Sequence, residues 1–125
     1  MIEVSIDERT GIIRTVGTGR WTAEEVDAHF MKLGDIISDV RRRGQVVRIL
    51  SDVSGAEVQS PAIEARINAL SGKLRQPGDR SALVVKSSLL KVHVREVADC
   101  QDLALFCSAA AAETWLLAHD LSISA

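Results

Sequence analysis

Several side chains in this sequence could carry chemistry, and each is judged first by its spacing. Val53-Ser54-Gly55 offers a serine before a glycine. A nucleophile elbow of the G-x-S-x-G kind also needs glycine two residues before the serine, so that a strand can turn sharply into a helix. Asp52, preceded by Ser51, stands there instead. Cys100 and Cys107 form a C-x6-C pair, which matches neither a zinc knuckle nor a redox C-x-x-C motif. Cys107 precedes an expected helix start at Ser108, where a helix N-terminus favours thiolate. Its expected role is that of a small apolar residue at a strand end. His29, His93 and His119 are far apart, with no H-x-x-x-H pair or clustered carboxylates to complete a metal site. Gly17-Thr18-Gly19-Arg20-Trp21-Thr22 sits between a strand and a helix, as a dinucleotide fingerprint would. Its third glycine position is Thr22, so a turn followed by a helix cap accounts for it.

The composition narrows the classes further. The 125 residues suit one domain over 1–125, and 46% of them are hydrophobic, enough for a core. Trp21, Phe30, Phe106 and Trp115 are the only Phe, Tyr or Trp residues. The core must come from Ile, Leu, Val and Ala, and the stacking surfaces used to bind single-stranded nucleic acid are nearly missing. Fifteen basic and seventeen acidic residues give a net charge of −2, which offers no global attraction to nucleic acid or anionic lipid. The run Arg41-Arg42-Arg43 falls where a helix should end and where cations offset exposed carbonyls. No signal peptide is read at the start, since Met1 leads directly into a strand pattern. The apolar runs are too short to span a bilayer. A reduced, cytoplasmic protein is the expectation.

The elements that would position these residues are legible in the pattern. Ile2 to Asp7 alternates apolar and polar, a strand with one buried face. Glu8 to Gly11 reads as a turn, and Ile12 to Val16 as the second strand of a hairpin. Thr22-Ala23-Glu24-Glu25 is a capping box. Val26, Phe30, Leu33, Ile37 and Val40 then form one helix stripe, which Gly44 ends. Val46 to Leu50 reads as a central strand ending at Ser51-Asp52. Ser60-Pro61 opens a second helix with the stripe Ile63, Ile67, Leu70 and Leu74. A strand at Ala82 to Val85 follows. Ser87 or Ser88 caps a third helix with stripe Leu90, Val94 and Val97. A last strand covers Leu103 to Phe106, and Ser108 caps a final helix in which Trp115 is expected as a core anchor. The order ββαβαβαβα predicts an α/β fold: a five-stranded mixed sheet with an N-terminal antiparallel hairpin at its edge and four helices mainly on one face.

Across essentially its whole length the chain resembles the SpoIIAA-like proteins, relatives of the STAS domains of anti-sigma-factor antagonists and, in fold, of Sec14-type lipid carriers. The residues that carry the resemblance are Gly19-Arg20-Trp21-Thr22-Ala23-Glu24-Glu25, Arg48-Ile49-Leu50-Ser51-Asp52, Phe106 and the ending Ala112-x-x-Trp115-Leu116. Anti-sigma-factor antagonists carry a regulatory phosphoserine in an Asp-Ser-Ser-Gly setting at the start of the second helix. The resemblance places Ser60 there, but Gln59 replaces the acid and no glycine follows.

The resemblance implies a non-enzymatic regulatory or protein-binding module of STAS type, presenting Val53 to Gln59 and the second helix to a protein partner. Ser60, Ser54 and Asp52 are the candidate phosphorylation or partner residues. The alternative is a carrier or sensor of a small apolar or anionic ligand, as in Sec14-type domains. Thr22, Ser60, Ser87 or Ser88, and Ser108 would gather helix starts at one sheet edge, near Arg20, where an anion could sit. Against an apolar carrier, a core filled to ordinary density leaves little volume in 125 residues. No catalytic residue, metal, cofactor, nucleic-acid partner or membrane insertion is expected, and homodimerisation stays open. As a structural cap, Ser60 should lose about 1 kcal/mol of stability on Ser60→Ala. Phosphopeptide mapping of the endogenous protein should find it unmodified, and growth-dependent phosphate there would overturn the cap-only role.

Overall fold

The computed structural model describes residues 1–87 and 103–124. Its elements are β1 (Ile2–Ile6), β2 (Ile13–Gly19), α1 (Ala23–Arg42), β3 (Arg48–Ala56), α2 (Pro61–Leu74), β4 (Arg80–Val84), β5 (Leu103–Phe106) and α3 (Ala109–Ser124). The expected helix with the stripe Leu90, Val94 and Val97 lies outside the described residues, as do Ser88, His93, Cys100 and the side chain of His119.

The strands lie in the order β1-β2-β3-β4-β5, with β1 antiparallel to β2 and the rest parallel. β1 is therefore the antiparallel edge that its one-sided alternation predicts. Because β2, β3 and β4 step in a single direction, right-handed crossovers put α1 and α2 on the same face. Helix α3 covers the other face, against β3, β4 and β5. Two of the three described helices thus share one face.

Two apolar clusters follow. On the α1 face, Val4 and Ile13 of the hairpin pack with Leu33, Ile37, Val40 and Val47. On the α3 face, Ile12, Leu50, Ala82 and Val84 pack with Ala112 and Leu116. Helix α1 is fixed by the capping box, in which Glu25 N–H donates to Thr22 Oγ1 at 3.1 Å and Thr22 N–H to Glu25 Oε1 at 3.2 Å. It ends where Gly44 takes φ +71, which an L side chain rarely adopts. Arg41 then reaches the end of α2, donating to the Leu74 carbonyl at 2.9 Å and pairing with Asp79 at 2.6 Å. Arg42 and Arg43 pair with Asp39.

Three expectations need correction. The stretch Gly17 to Gly19 is the end of β2 and not a turn. β3 continues through Ser51 and Asp52 to Ala56, so most of the segment read as a loop is strand. The reason is mutual pairing, Thr18 with Gly55 and Gly19 with Ala56, across an irregularity after Val16. Cys107 is exposed, one residue past β5 in the bend to α3, and does not pack as an apolar strand end.

Trp115 is half-buried beside Phe106, their ring centroids 6.0 Å apart, while Leu116 is fully buried. Leu116→Ala should therefore cost about 2–5 kcal/mol in chemical denaturation, and Trp115→Ala less. A larger loss at Trp115 would show the indole to be the stronger anchor.

Candidate functional site

Among the described residues, the face shared by α1 and α2 leaves space beneath α2. Helix α2 has no buried residue, and Ile63, Ile67, Leu70 and Leu74 are all half-buried. It packs chiefly on α1, so its apolar stripe does not settle on the sheet. Between α1, α2 and the sheet lies a cavity of about 290 Å3. That size is at the lower end of small-molecule sites, and it corrects the expectation of a core packed to ordinary density on both faces.

The strands supply the floor. Ile49 and Val53 of β3 and Leu83 of β4 line it with apolar surface, while Thr15, Ser51 and Ser81 add hydroxyls. Thr15 and Ser51 are direct partners in the β2–β3 register, and Ser81 is opposite Ile49 on β4. The α1 wall is Val26, His29, Phe30 and Leu33, and Ile67, Asn68 and Ser71 come from α2.

One end is shaped by Trp21 and by residues Glu57 to Gln59. Trp21 packs closely on β2 because Gly17 has no side chain, since a Cβ there would come within 2.5 Å of the indole. The indole N–H donates to the Thr18 carbonyl at 3.0 Å. Gln59 ties the two connections together: its amide N–H donates to the carbonyls of Gly19 (2.9 Å) and Glu57 (2.7 Å), and its Oε1 accepts from Trp21 N–H (2.8 Å). Arg66 of α2 forms a two-pronged pair with Asp27 of α1 at 2.6 and 2.5 Å. That pair holds the Asp27 carboxyl below its ordinary range.

Two polar atoms around the cavity have no hydrogen-bond partner among the described residues. One is Oγ1 of Thr15, whose residue is only 5% exposed; the other is Nδ1 of His29. Burial pushes the His29 imidazole below its ordinary range and keeps it neutral. Among the described residues, the charged ones lining the cavity are Glu57, Glu64 and Arg75.

The residues singled out from the sequence fall elsewhere. Ser54 Oγ donates to Asp52 Oδ1 at 2.6 Å, and Ser54 N–H donates to the same oxygen at 3.0 Å. Ser60 is the N-cap of α2, accepting from Ile63 N–H at 3.2 Å. The fold brings Asp52 and Ser54 together but gives Ser60 no bond to either among the described residues. Thr22 and Ser108 are likewise engaged as caps. Sequence reasoning missed Thr15 and Ser51 as cavity residues, weighed His29 only as a metal ligand, and missed the pinning role of Gln59. The one local signal for Thr15 and Ser51 was a hydroxyl at a strand position where apolar side chains are usual. Among the described residues no three His, Cys, Asp or Glu side chains cluster to hold a metal, and no helix is long and apolar enough to cross a membrane.

The histidine has a testable sign. The unfolded chain takes up a proton near the ordinary imidazole value of about 6.5, and the folded chain only at lower pH. Stability should therefore fall as pH drops through that value. His29→Gln should flatten the pH dependence of urea midpoints between neutral and mildly acidic buffer, and an unchanged slope would show that His29 does not cause it.

No protein-family model and no curated protein matches the sequence. Solved structures do match. One is an uncharacterized protein of the DUF3478 family with a SpoIIAA-like fold from Shewanella loihica PV-4, at TM-score 0.70 and 15% identity, covering 93% of this chain and 92% of that one. Another is an anti-sigma factor antagonist from Mycobacterium paratuberculosis, at TM-score 0.61 and 13% identity, covering 94% and 95%. With both matches spanning nearly the full length, the chain has the SpoIIAA-like α/β fold that its sequence motifs suggest.

Proposed function

We propose that the protein is a non-enzymatic binding module of STAS type whose input is a small, largely apolar ligand. The cavity between α1, α2 and the sheet carries this reading. Its lining is mostly aliphatic and aromatic, with a few polar groups set among them, the usual make-up of a small-molecule site. The segment that the sequence marks for a partner, Val53 to Gln59 together with α2, also contributes to the cavity, through Val53, Ala56 to Gln59 and one side of α2. Filling the cavity and positioning that surface would then be one event, and a ligand that binds one arrangement better shifts the population toward it. Likeness in fold to an anti-sigma factor antagonist supports a protein partner as the output side. Ser60, at the start of α2, and the Asp52–Ser54 pair remain proposed partner or modification residues on that side. An enzymatic role is disfavoured because Asp52 Oδ1 already accepts two donors from Ser54, and no imidazole joins them among the described residues.

The neutral dye N-phenylnaphthylamine tests the cavity. It should bind with one-to-one stoichiometry and raised emission. Val53→Phe, which places bulk on the floor, should abolish that binding while far-UV circular dichroism stays native. Binding that survives Val53→Phe would place the dye elsewhere and remove the support for a ligand input.

A further inference from the structure

The floor of the cavity is more polar than an apolar cargo requires. Thr15 and Ser51 sit side by side on neighbouring strands, and Ser81 follows on the third. Thr15 is 95% buried by its 5% exposure, and its hydroxyl has no partner among the described residues. His29 faces the same cavity from α1 and also leaves Nδ1 unpartnered. A buried polar atom without a partner is unfavourable, and native proteins leave few of them. Valine at position 15 would fill nearly the same volume without that penalty. A partner supplied by a bound molecule accounts for both atoms together.

We propose that the cavity selects a neutral amphiphile, an aliphatic or alicyclic molecule carrying a single hydroxyl or carbonyl group that hydrogen-bonds Thr15, with Ser51 and His29 beside it. Charge disfavours an anionic head. Among the described residues the lining has two carboxylates, Glu57 and Glu64, and one cation, Arg75. None of the described floor residues is cationic, so a carboxylate or phosphate there would lose its hydration without a compensating charge. A hydroxyl can donate to one floor group and accept from another, matching side chains that are themselves both donor and acceptor. The inference rests on the ligand-binding reading above and adds the chemistry of the head group.

The test uses the full chain carrying Trp115→Phe, which leaves Trp21 at the cavity end as the sole indole reporter. Trp21 emission is titrated with n-decanol and, separately, with decanoate at pH about 7.5, where the acid is ionised. Decanol should bind at least ~10-fold more tightly than decanoate. Thr15→Val should weaken decanol about 3- to 10-fold, the equivalent of one net hydrogen bond, and Thr15→Ser should restore it. N-phenylnaphthylamine should still bind both variants one-to-one, which shows the cavity intact, and the ligand-free Thr15→Val protein should melt no lower than its parent. Decanoate binding as tightly as decanol, or Thr15→Val leaving decanol unaffected while the dye still binds, overturns this inference alone. Failure of the dye and of both amphiphiles to bind overturns the ligand-binding reading with it.

Discussion

Between Val16 and Thr18 the parallel pairing of β2 and β3 slips. Val16 faces Asp52 and Thr18 faces Gly55, so β3 spends three steps where β2 spends two. An extra residue in one strand reverses the side-chain alternation beyond it. Val53 and Ala56 consequently both line the cavity, although simple alternation would put them on opposite faces. The pairing also carries β3 on to Ala56 and delivers Glu57 beside Gly19, where Glu57 N–H donates to the Gly19 carbonyl at 3.0 Å. Gln59 can then reach both Gly19 and Trp21. Helix α2 starts from that anchored connection, and its position above the sheet is inherited from it.

The two faces of the sheet have taken different courses. Under α3, Ile12, Leu116 and Ala112 are fully buried and the packing is closed. Arg14 reinforces that side by pairing with Glu113 at 2.8 Å and with Asp7 at 3.4 Å, linking the hairpin to α3. On the other side α1 is seated through Val26, Leu33, Ile37 and Val40, whereas α2 leans on α1. Its attachments include the Arg66–Asp27 pair, Arg41 at its C-terminal end and the approach of Leu74 to Gly34. The cavity thus lies on one strand face only, beside the packed α1 cluster and opposite the closed layer under α3.

Most of the fold was legible because its signals are local. The Thr22–Glu25 box, the α1 stripe and Gly44 act within a few residues of one another, and the start of α2 at Ser60-Pro61 is equally local. The far end of β3 was not, since Ser51, Asp52 and Ser54 look like turn residues and become strand only because Thr18 and Gly19 pair alongside. The cavity was hidden for a related reason. The stripe of α2 states which face is apolar, but its distance from the sheet depends on Gln59, Trp21 and Gly17, which are far apart in sequence. The phosphoserine resemblance drew notice to Gln59 as a missing acid, whereas its amide is what joins the two connections.

The space beneath α2 also has a mechanical consequence. Close-packed interiors barely compress and transmit strain, and the layer under α3 is of that kind. Helix α2 has no fully buried residue to press it against the sheet. A molecule occupying the space below it would stiffen that side without altering a single backbone hydrogen bond.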